Sequence, residues 1–569
     1  MANERFDRPG ALRRCAVLAV VLAAGLGTAA YGQATGPGQL ERQFTTPPAL
    51  PSGEGPVVPQ TPGQQPPADA GSVRFTLKQV DFAGNTAYSA QALAAPSAAL
   101  IGREVSLADV FRLADELTLM YRNDGYVLSR VIVPPQAIRD GVVQLRVVEG
   151  FIAQTSIRGE SSGPRSTLDR HLEVIRNSRP LAAGILEREL LLMNDLPGIN
   201  ALSTIVPSAT PGAADLAVEI ASRRASLTAG INNRGSKSLG PWRADLSGEL
   251  NQLLYGFDRL SARLVQTLAD RELSFATLGY DRVLGASGAR IGLSGSYVDS
   301  RPGTNQNFQL PTSSRSLTLQ GSVPLLRSRT QNLNLRASLS KLHSKTDVVA
   351  AGTALPLSED NISALRLGAT VDLVDRFRGL SVVDVELSKG LHAFSASRAG
   401  DANLSVADGR PDFTKLTVYA ARLQSLATKW SLLGAINAQY SRHVLLSPER
   451  FAFGGEQFGR AYDTAELTGD SGAAFKSELR YADSAASPWL RDYTLYGFYE
   501  VGTLRRRGAS VAAGGQKARE SAANAGVGVR VSMSGGWSGY AEVAQPLTHD
   551  VAQEGNRSAR AFVGVQGAF

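Results

Sequence analysis

Few residues in this sequence are placed to make or break bonds. The run Gly469-Asp470-Ser471-Gly472 sets a serine hydroxyl between glycines, as a hydrolytic nucleophile requires. That chemistry also needs a histidine base and a group to orient it. The five histidines (His171, His343, His392, His443 and His549) are scattered in no matching context. There is no GxxxxGK[ST] run to cradle phosphates. No pair of His, Cys or Glu has the spacing of metal ligands. The chain therefore reads as a non-enzyme with no metal and no cofactor, and each histidine as structural.

The remaining chemistry is that of charge and backbone. The 569 residues carry 59 Lys and Arg against 51 Asp and Glu, a net charge of +8. The positive charge is dispersed, and its densest cluster is Arg505-Arg506-Arg507. No basic stripe interleaves with aromatics, so nucleic acid is excluded as a partner. Hydrophobic residues make up 43%, enough to support a core and rule out disorder throughout. A single cysteine, Cys15, rules out a disulfide scaffold. Past residue 30 no apolar run approaches the roughly 18 residues a spanning helix needs, so a helical membrane bundle is excluded too.

The elements that must position any function begin at an export signal. Arg5, Arg8, Arg13 and Arg14 precede the apolar stretch Ala16–Ala30, and small residues place a cleavage between Ala30 and Ala34. Residues 1–34 thus read as a signal peptide and put the mature chain outside the inner membrane of a bacterium. Nine of the 27 prolines fall in residues 35–72, which read as an extended linker with at most a weak helix around Gln39–Gln43.

Two small α/β modules are expected next, at 73–150 and 151–224. In the first, Val73–Phe82 alternates as a strand. A short helical stretch, Ala90–Leu100, precedes a strong helix over Leu107–Asn123. Ser106 and Asp109 form its capping box, and Gly125 ends it. Val127–Val133 and Val142–Val148 complete the order β-α-α-β-β. The second module repeats it with strands at Phe151–Arg158, Leu202–Val206 and Leu216–Ile220 and helices at Leu168–Ile175 and Ile185–Leu192. The segments Tyr121-Arg-Asn-Asp-Gly-Tyr126, Val131-Ile-Val-Pro-Pro-Gln136 and Leu145-Arg-Val-Val-Glu-Gly150 resemble a POTRA (polypeptide-transport-associated) domain. The resemblance is to the version found in hemolysin-activator and filamentous-hemagglutinin exporters, the outer-membrane transporters of two-partner secretion.

From about residue 225 the pattern has period two. In Arg290–Tyr297, Ser316–Val323 and Leu365–Leu373, apolar residues alternate with polar or small ones. A soluble sandwich alternates in the same way. Mid-strand Arg and Asp without evident partners suggest instead a wet lumen. Many such strands, hardly any helical pattern and a terminal Phe569, with Ala561, Val563 and Val565 on its face, point the same way. Residues 225–569 are therefore expected to close into a transmembrane β-barrel, because an open sheet edge in hydrocarbon would leave backbone groups unpaired. The resemblance implies sixteen antiparallel strands, and Phe569 resembles the signal read by outer-membrane assembly machinery. The last outer loop but one, Leu504 to about Ala522, holds the triple arginine, which reads either as a solvated loop or as a contact with lipopolysaccharide.

Further segments carry the resemblance. Phe451–Tyr462 is similar to the family's long sixth extracellular loop, with Gly459-Arg460-Ala461-Tyr462 where the family has Val-Arg-Gly-Tyr/Phe. Ala461 departs from that pattern at a glycine, and alanine tolerates positive φ poorly. Phe498-Tyr-Glu500-Val-Gly502 stands where the family has Phe-x-Asp-x-Gly. The run from Asn232 to Asp258 resembles the family's first barrel hairpin. The resemblance implies that the loop enters the lumen and that Arg460, with Tyr462, locks onto Glu500. It also implies that Val127, Leu128, Ser129, Arg130, Val131, Ile132 and Val133 form a sheet edge able to bind unfolded cargo, with Pro134-Pro135 stopping the pairing. The expected function is an outer-membrane pore exporting a large β-rich exoprotein, with outer-membrane lipid, lipopolysaccharide and the assembly machinery as further partners and the small domains in the periplasm. An assembly or insertase factor of the same superfamily and a passive porin remain as alternatives.

Overall fold

Strands with one apolar and one polar face either bury the apolar face in a sandwich core or turn it to lipid; closure into a barrel allows the second and leaves no edge unpaired. A computed structural model of the protein describes residues 36–51, 64–210, 212–254, 256–268, 272–303, 308–350, 353–512 and 516–569. The expected signal peptide, Cys15 included, and residues 52–63 of the linker lie outside the described residues. Sixteen long antiparallel strands run from Ala225–Asn232 to Arg560–Ala568, and these two pair with each other to close the barrel. A two-residue piece, Phe308–Gln309, pairs at the outer end of the strand Gln331–Ala350.

The apolar face points outward. Ile291, Leu293, Tyr297, Leu317, Leu319, Leu365, Leu367 and Leu373 are all exposed on the barrel's exterior. The polar face lines the lumen, and its charges are not unpaired as the sequence suggested. Arg336 reaches Asp384 at 2.8 Å, Arg290 reaches Asp281 at 3.3 Å, and Arg263 reaches Asp245 at 2.6 Å. The partners sit on neighbouring strands or one strand further, where linear sequence does not reveal them.

The C-terminal residue fastens the seam. The Phe569 N–H donates to Leu227 O at 2.8 Å, Leu227 N–H returns the bond at 3.2 Å, and Arg223 donates to Phe569 O at 2.8 Å. Its ring packs edge-on against Trp537, with centroids 5.8 Å apart. Deleting residues 566–569 removes much of the pairing between first and last strands, so heat-modifiable barrel is expected to disappear from membranes while synthesis continues. Normal amounts of heat-modifiable barrel would refute this.

In the first module the expected single strand Val73–Phe82 is two. Arg74–Thr76 pairs with Glu104–Ser106, and Gln79–Ala83 runs parallel to Val142–Val148. The break falls at Leu77-Lys78. Leu77 is buried and donates its N–H to Arg103 O, and Lys78 donates to Gly141 O. The helix Leu107–Asn123 starts on the expected box, with the Asp109 N–H on Ser106 Oγ at 3.2 Å and the Ser106 N–H on Asp109 Oδ2 at 2.7 Å. In the second module Phe151–Arg158 and Ile199–Pro207 flank Ala213–Ser222, covered by helices Arg165–Asn177 and Ala183–Asn194.

Glu149 explains part of the first module's motif. Its carboxylate accepts the N–H groups of Thr86 and Ala87 at 2.7 and 2.8 Å and the Tyr121 hydroxyl at 3.0 Å. Burial pushes its pKa up, but these donors outweigh that and hold it below the ordinary value. A depressed carboxylate contributes stability above its unfolded pKa of about 4.3 and loses it as pH falls through the folded value. Acid titration of unfolding should therefore show a loss below about pH 4 that Glu149→Gln flattens. An unchanged acid limb in the variant would show that these bonds to Glu149 do not stabilise the module.

Candidate functional site

Three separate pieces of chain meet inside the barrel: the segment 442–470, a short N-terminal helix, and the wall strands behind them. The segment is held open by a two-strand hairpin, Phe451–Phe453 with Leu467–Gly469. Its tip turns through Gly454, Gly455 and Gly459, all at positive φ. Ala461 is not among the positive-φ residues, so its departure from the family pattern costs nothing; the turn is carried by Gly459 at φ 91°.

Arg460 sits 5% exposed at the centre of the wall. Its Nε donates to Glu500 Oε1 at 2.7 Å. Its backbone N–H and that of Gly459 donate to Glu500 Oε2 at 2.8 and 2.7 Å. Its Nη1 lies 2.9 Å from Glu542 Oε2 and 3.0 Å from Glu478 Oε2. The guanidinium also stacks 3.6 Å from the Phe498 ring centroid. Tyr462 is buried and donates its hydroxyl to Ala523 O at 2.8 Å. The structure thus brings Arg460 and Tyr462 of the loop onto the wall that carries Glu500.

Sequence reasoning missed the other two acids. Glu478 is also held by Arg480 and Arg530, each at 2.7 Å. Glu542 also accepts from Arg234 at 2.8 Å and from the Tyr496 hydroxyl at 2.9 Å. The signal was available: each acid occupies a lumen-facing position in a strand whose alternation is otherwise clear. What was hidden is that three strands converge on one loop arginine.

The wall makes room for the loop by omission. A Cβ on Gly472 would lie 2.3 Å from the Phe451 ring, and one on Gly502 would lie 2.2 Å from the Phe453 ring. The base of the segment is tied down separately. Glu449, buried, takes Arg366 at 2.6 Å and Lys415 at 2.6 Å.

The stretch expected as a linker, with at most a weak helix around Gln39–Gln43, contributes a second lumenal element. Pro37–Gln43 is helical and lies inside the barrel. Glu41 accepts from Ser316 Oγ at 2.8 Å, Gln39 donates to Ser447 O at 3.2 Å, and Thr464 donates to Gln43 Oε1 at 2.6 Å. Leu40 is buried beside Leu239, Val265 and Phe275, and Phe44 stacks on Phe275 with centroids 4.4 Å apart. Cavities of about 730 and 600 Å³ remain beside it in the lumen.

The expected cargo edge is shorter than predicted. Only Arg130–Ile132 is strand, at the edge of the order Gln79–Ala83, Val142–Val148, Arg130–Ile132. Val127, Leu128 and Ser129 form the approach, with the Ser129 N–H on Tyr126 O at 3.0 Å. The edge is already partnered. Val131 N–H donates to Thr118 Oγ1 at 2.9 Å, and Gln64 of the linker takes both groups of Val133, accepting from its N–H at 2.9 Å and donating to its C=O at 3.2 Å. Among the described residues the hydroxyl of Ser471, the one nucleophile-like serine, meets Ser441, donating to its O and accepting from its N–H, both at 3.1 Å.

Comparison with known proteins follows this geometry. A profile of the family described as haemolysin secretion/activation protein ShlB/FhaC/HecB matches residues 213–531, and one of the ShlB-type POTRA domain matches 75–150. The heme/hemopexin transporter protein HuxB of Haemophilus influenzae is 25% identical over 536 residues, 90% of this chain and 91% of that one. The outer membrane transporter CdiB of Dickeya dadantii is 25% identical over 420 residues, covering 72% of each. Among solved structures, CdiB from Escherichia coli superposes with a TM-score of 0.70 at 17% identity, covering 93% of this chain and 95% of that one.

Proposed function

The chain belongs to the haemolysin secretion/activation family ShlB/FhaC/HecB, and from that premise we propose that it is the outer-membrane pore of a two-partner secretion system, exporting a large β-rich exoprotein. The observation that carries this is a closed barrel whose lumen holds two inserts that are not part of its wall, the helix Pro37–Gln43 and the loop tip at Arg460. A passive porin needs neither a loop anchored on three acids nor POTRA domains. Residues 1–34 serve as the export signal, Phe569 as the assembly signal, and the outer face meets lipid and lipopolysaccharide. The test pairs two measurements. The purified barrel should be heat-modifiable and conduct ions in a planar bilayer, and a strain lacking it should lose one exoprotein from its medium. Recovery as a soluble periplasmic protein, or an unchanged secretome, would defeat the proposal.

Cargo is captured by strand addition at the edge that ends in Val133. An unfolded segment entering there must displace the Gln64 amide, which pairs with Val133 as a neighbouring strand does. Gln64→Ala exposes two backbone groups and should raise cross-linking of a cargo peptide to this edge about fivefold, the equivalent of roughly 1 kcal/mol for one net hydrogen bond. Val133→Pro removes the N–H without disturbing the buried Val131–Thr118 bond and should abolish the gain. Equal cross-linking in all three proteins would place capture elsewhere.

A further inference from the structure

At the outer end of the barrel one row of side chains faces away from the lumen across four neighbouring strands. It runs Tyr440, Ser471, Arg505, Arg519. Arg505 lies opposite Ser471 on one side and Arg519 on the other. Ser441 bonds to Ser471 and so brings Tyr440 alongside. Arg442 returns to the same face and donates its Nε to the Tyr440 hydroxyl at 3.4 Å. The charges of Arg442, Arg507 and Arg505 all act on that hydroxyl. Below the row the outward wall is apolar, with Ile436, Phe475, Tyr499 and Val527 exposed.

This concentration of charge is unlike the rest of the barrel. Arginines directly opposite each other in an antiparallel pair repel. Inside the lumen every such charge met above has a carboxylate, yet among the described residues Arg442, Arg505, Arg507 and Arg519 make no ion pair. The Nε of Arg507 is buried and unpartnered. The nearby acids are spent: Glu520 on Arg506 at 2.7 Å, Asp470 on the N–H groups of Leu445 and Arg507 at 2.8 Å each, and Asp408 on the Ala509 N–H at 2.6 Å. The middle residue of the triple arginine therefore turns inward and is neutralised, and its two neighbours stay free.

Four uncompensated guanidiniums crowning an apolar wall call for an anion that is itself anchored in lipid. Planar guanidinium forks suit phosphate oxygens. We propose that Arg442, Arg505, Arg507 and Arg519 form a binding site for the phosphates of a phosphorylated glycolipid of the outer leaflet, the lipid A part of lipopolysaccharide. The proposal rests on the outer-membrane reading above.

The test titrates full-length protein in neutral detergent micelles with bisphosphorylated lipid A, its dephosphorylated form and inorganic pyrophosphate, reading bound lipid by native mass spectrometry. Bisphosphorylated lipid A should bind at least about tenfold more tightly than the dephosphorylated form, because several charge-assisted bonds are lost together. The double variant Arg505→Gln/Arg519→Gln should lose most of that difference while keeping heat-modifiability. Equal binding of the two lipids, or undiminished binding by the folded double variant, would overturn the proposal. Displacement of lipid A by equimolar pyrophosphate would overturn the lipid assignment in favour of a free-phosphate site. If the double variant does not fold, the comparison of the two lipids on the unaltered protein decides alone. A barrel that inserts and conducts but ignores phosphorylation sinks only this site; a chain that never inserts sinks the outer-membrane reading itself.

Discussion

Glu500→Ala is expected to release the loop tip and cut secretion at least tenfold while leaving barrel insertion intact. Glu500 is fully buried and accepts three bonds from the loop: the Arg460 Nε and the N–H groups of Gly459 and Arg460. Removing it takes the acceptor from two buried backbone N–H groups and from the Arg460 Nε, while Nη1 keeps Glu542 and Glu478. Each buried donor left unsatisfied costs about 1–3 kcal/mol, enough together to loosen the loop tip although Glu542, Glu478 and the Tyr462 hydroxyl on Ala523 O still hold it. Arg460→Ala is expected to be milder, for a reason visible in the geometry. Two backbone N–H groups still satisfy Glu500. Glu478 keeps Arg480 and Arg530, and Glu542 keeps Arg234 and Tyr496. The double variant should be little worse than Glu500→Ala alone. Cysteine cross-linking between loop tip and wall reports release, and exoprotein in the medium reports function. Strictly additive defects would mean that the two residues do not act as a unit.

Deleting residues 36–46 is expected to raise single-channel conductance severalfold. The helix Pro37–Gln43 occupies a width of about 10 Å with its side chains, between the serines of one wall, which hold Glu41, and the base of the loop segment at Ser447. The cavities beside it are interrupted by it. A gentler variant makes the same point. A Cβ at Gly38 would lie 2.5 Å from Pro448, so Gly38→Leu cannot seat the helix and should approach the deletion in conductance. Unchanged conductance in the deletion would show that the loop alone closes the pore.

How much of this was legible depended on whether partners are local. Ser106 and Asp109 are three residues apart, so their box could be read directly. Strand alternation is a property of adjacent residues, so the strands and their two faces could be read as well, while the barrel needed the number of strands, the polar mid-strand residues and the terminal Phe569 besides. The pairing of Arg460 with Glu500 was implied by the resemblance of two separated segments to family motifs. Its other acids, Glu478 and Glu542, could not be placed, because strand order and register decide which acids face one point. The helix at Pro37–Gln43 was almost invisible. Seven residues in a proline-rich stretch have no stability of their own; the barrel interior supplies the partners that Leu40, Glu41 and Phe44 need. The short cargo edge was overestimated because Val127 and Leu128 have strand-like side chains, but the turn at Tyr126–Ser129 claims their backbone.

The glycines at 472 and 502 have a consequence for passage. They sit under Phe451 and Phe453 because the wall must be thin where the loop leans on it. Once the loop lifts away, the same places become bare backbone whose amides are already committed to the barrel's own ladder. An extended chain sliding past meets no side chain there to grip it and no free hydrogen-bonding group to hold it. The two places where the loop leans on the wall are smooth when vacated, so the seating of the loop and an unobstructed surface at these two points follow from the same two missing methyl groups.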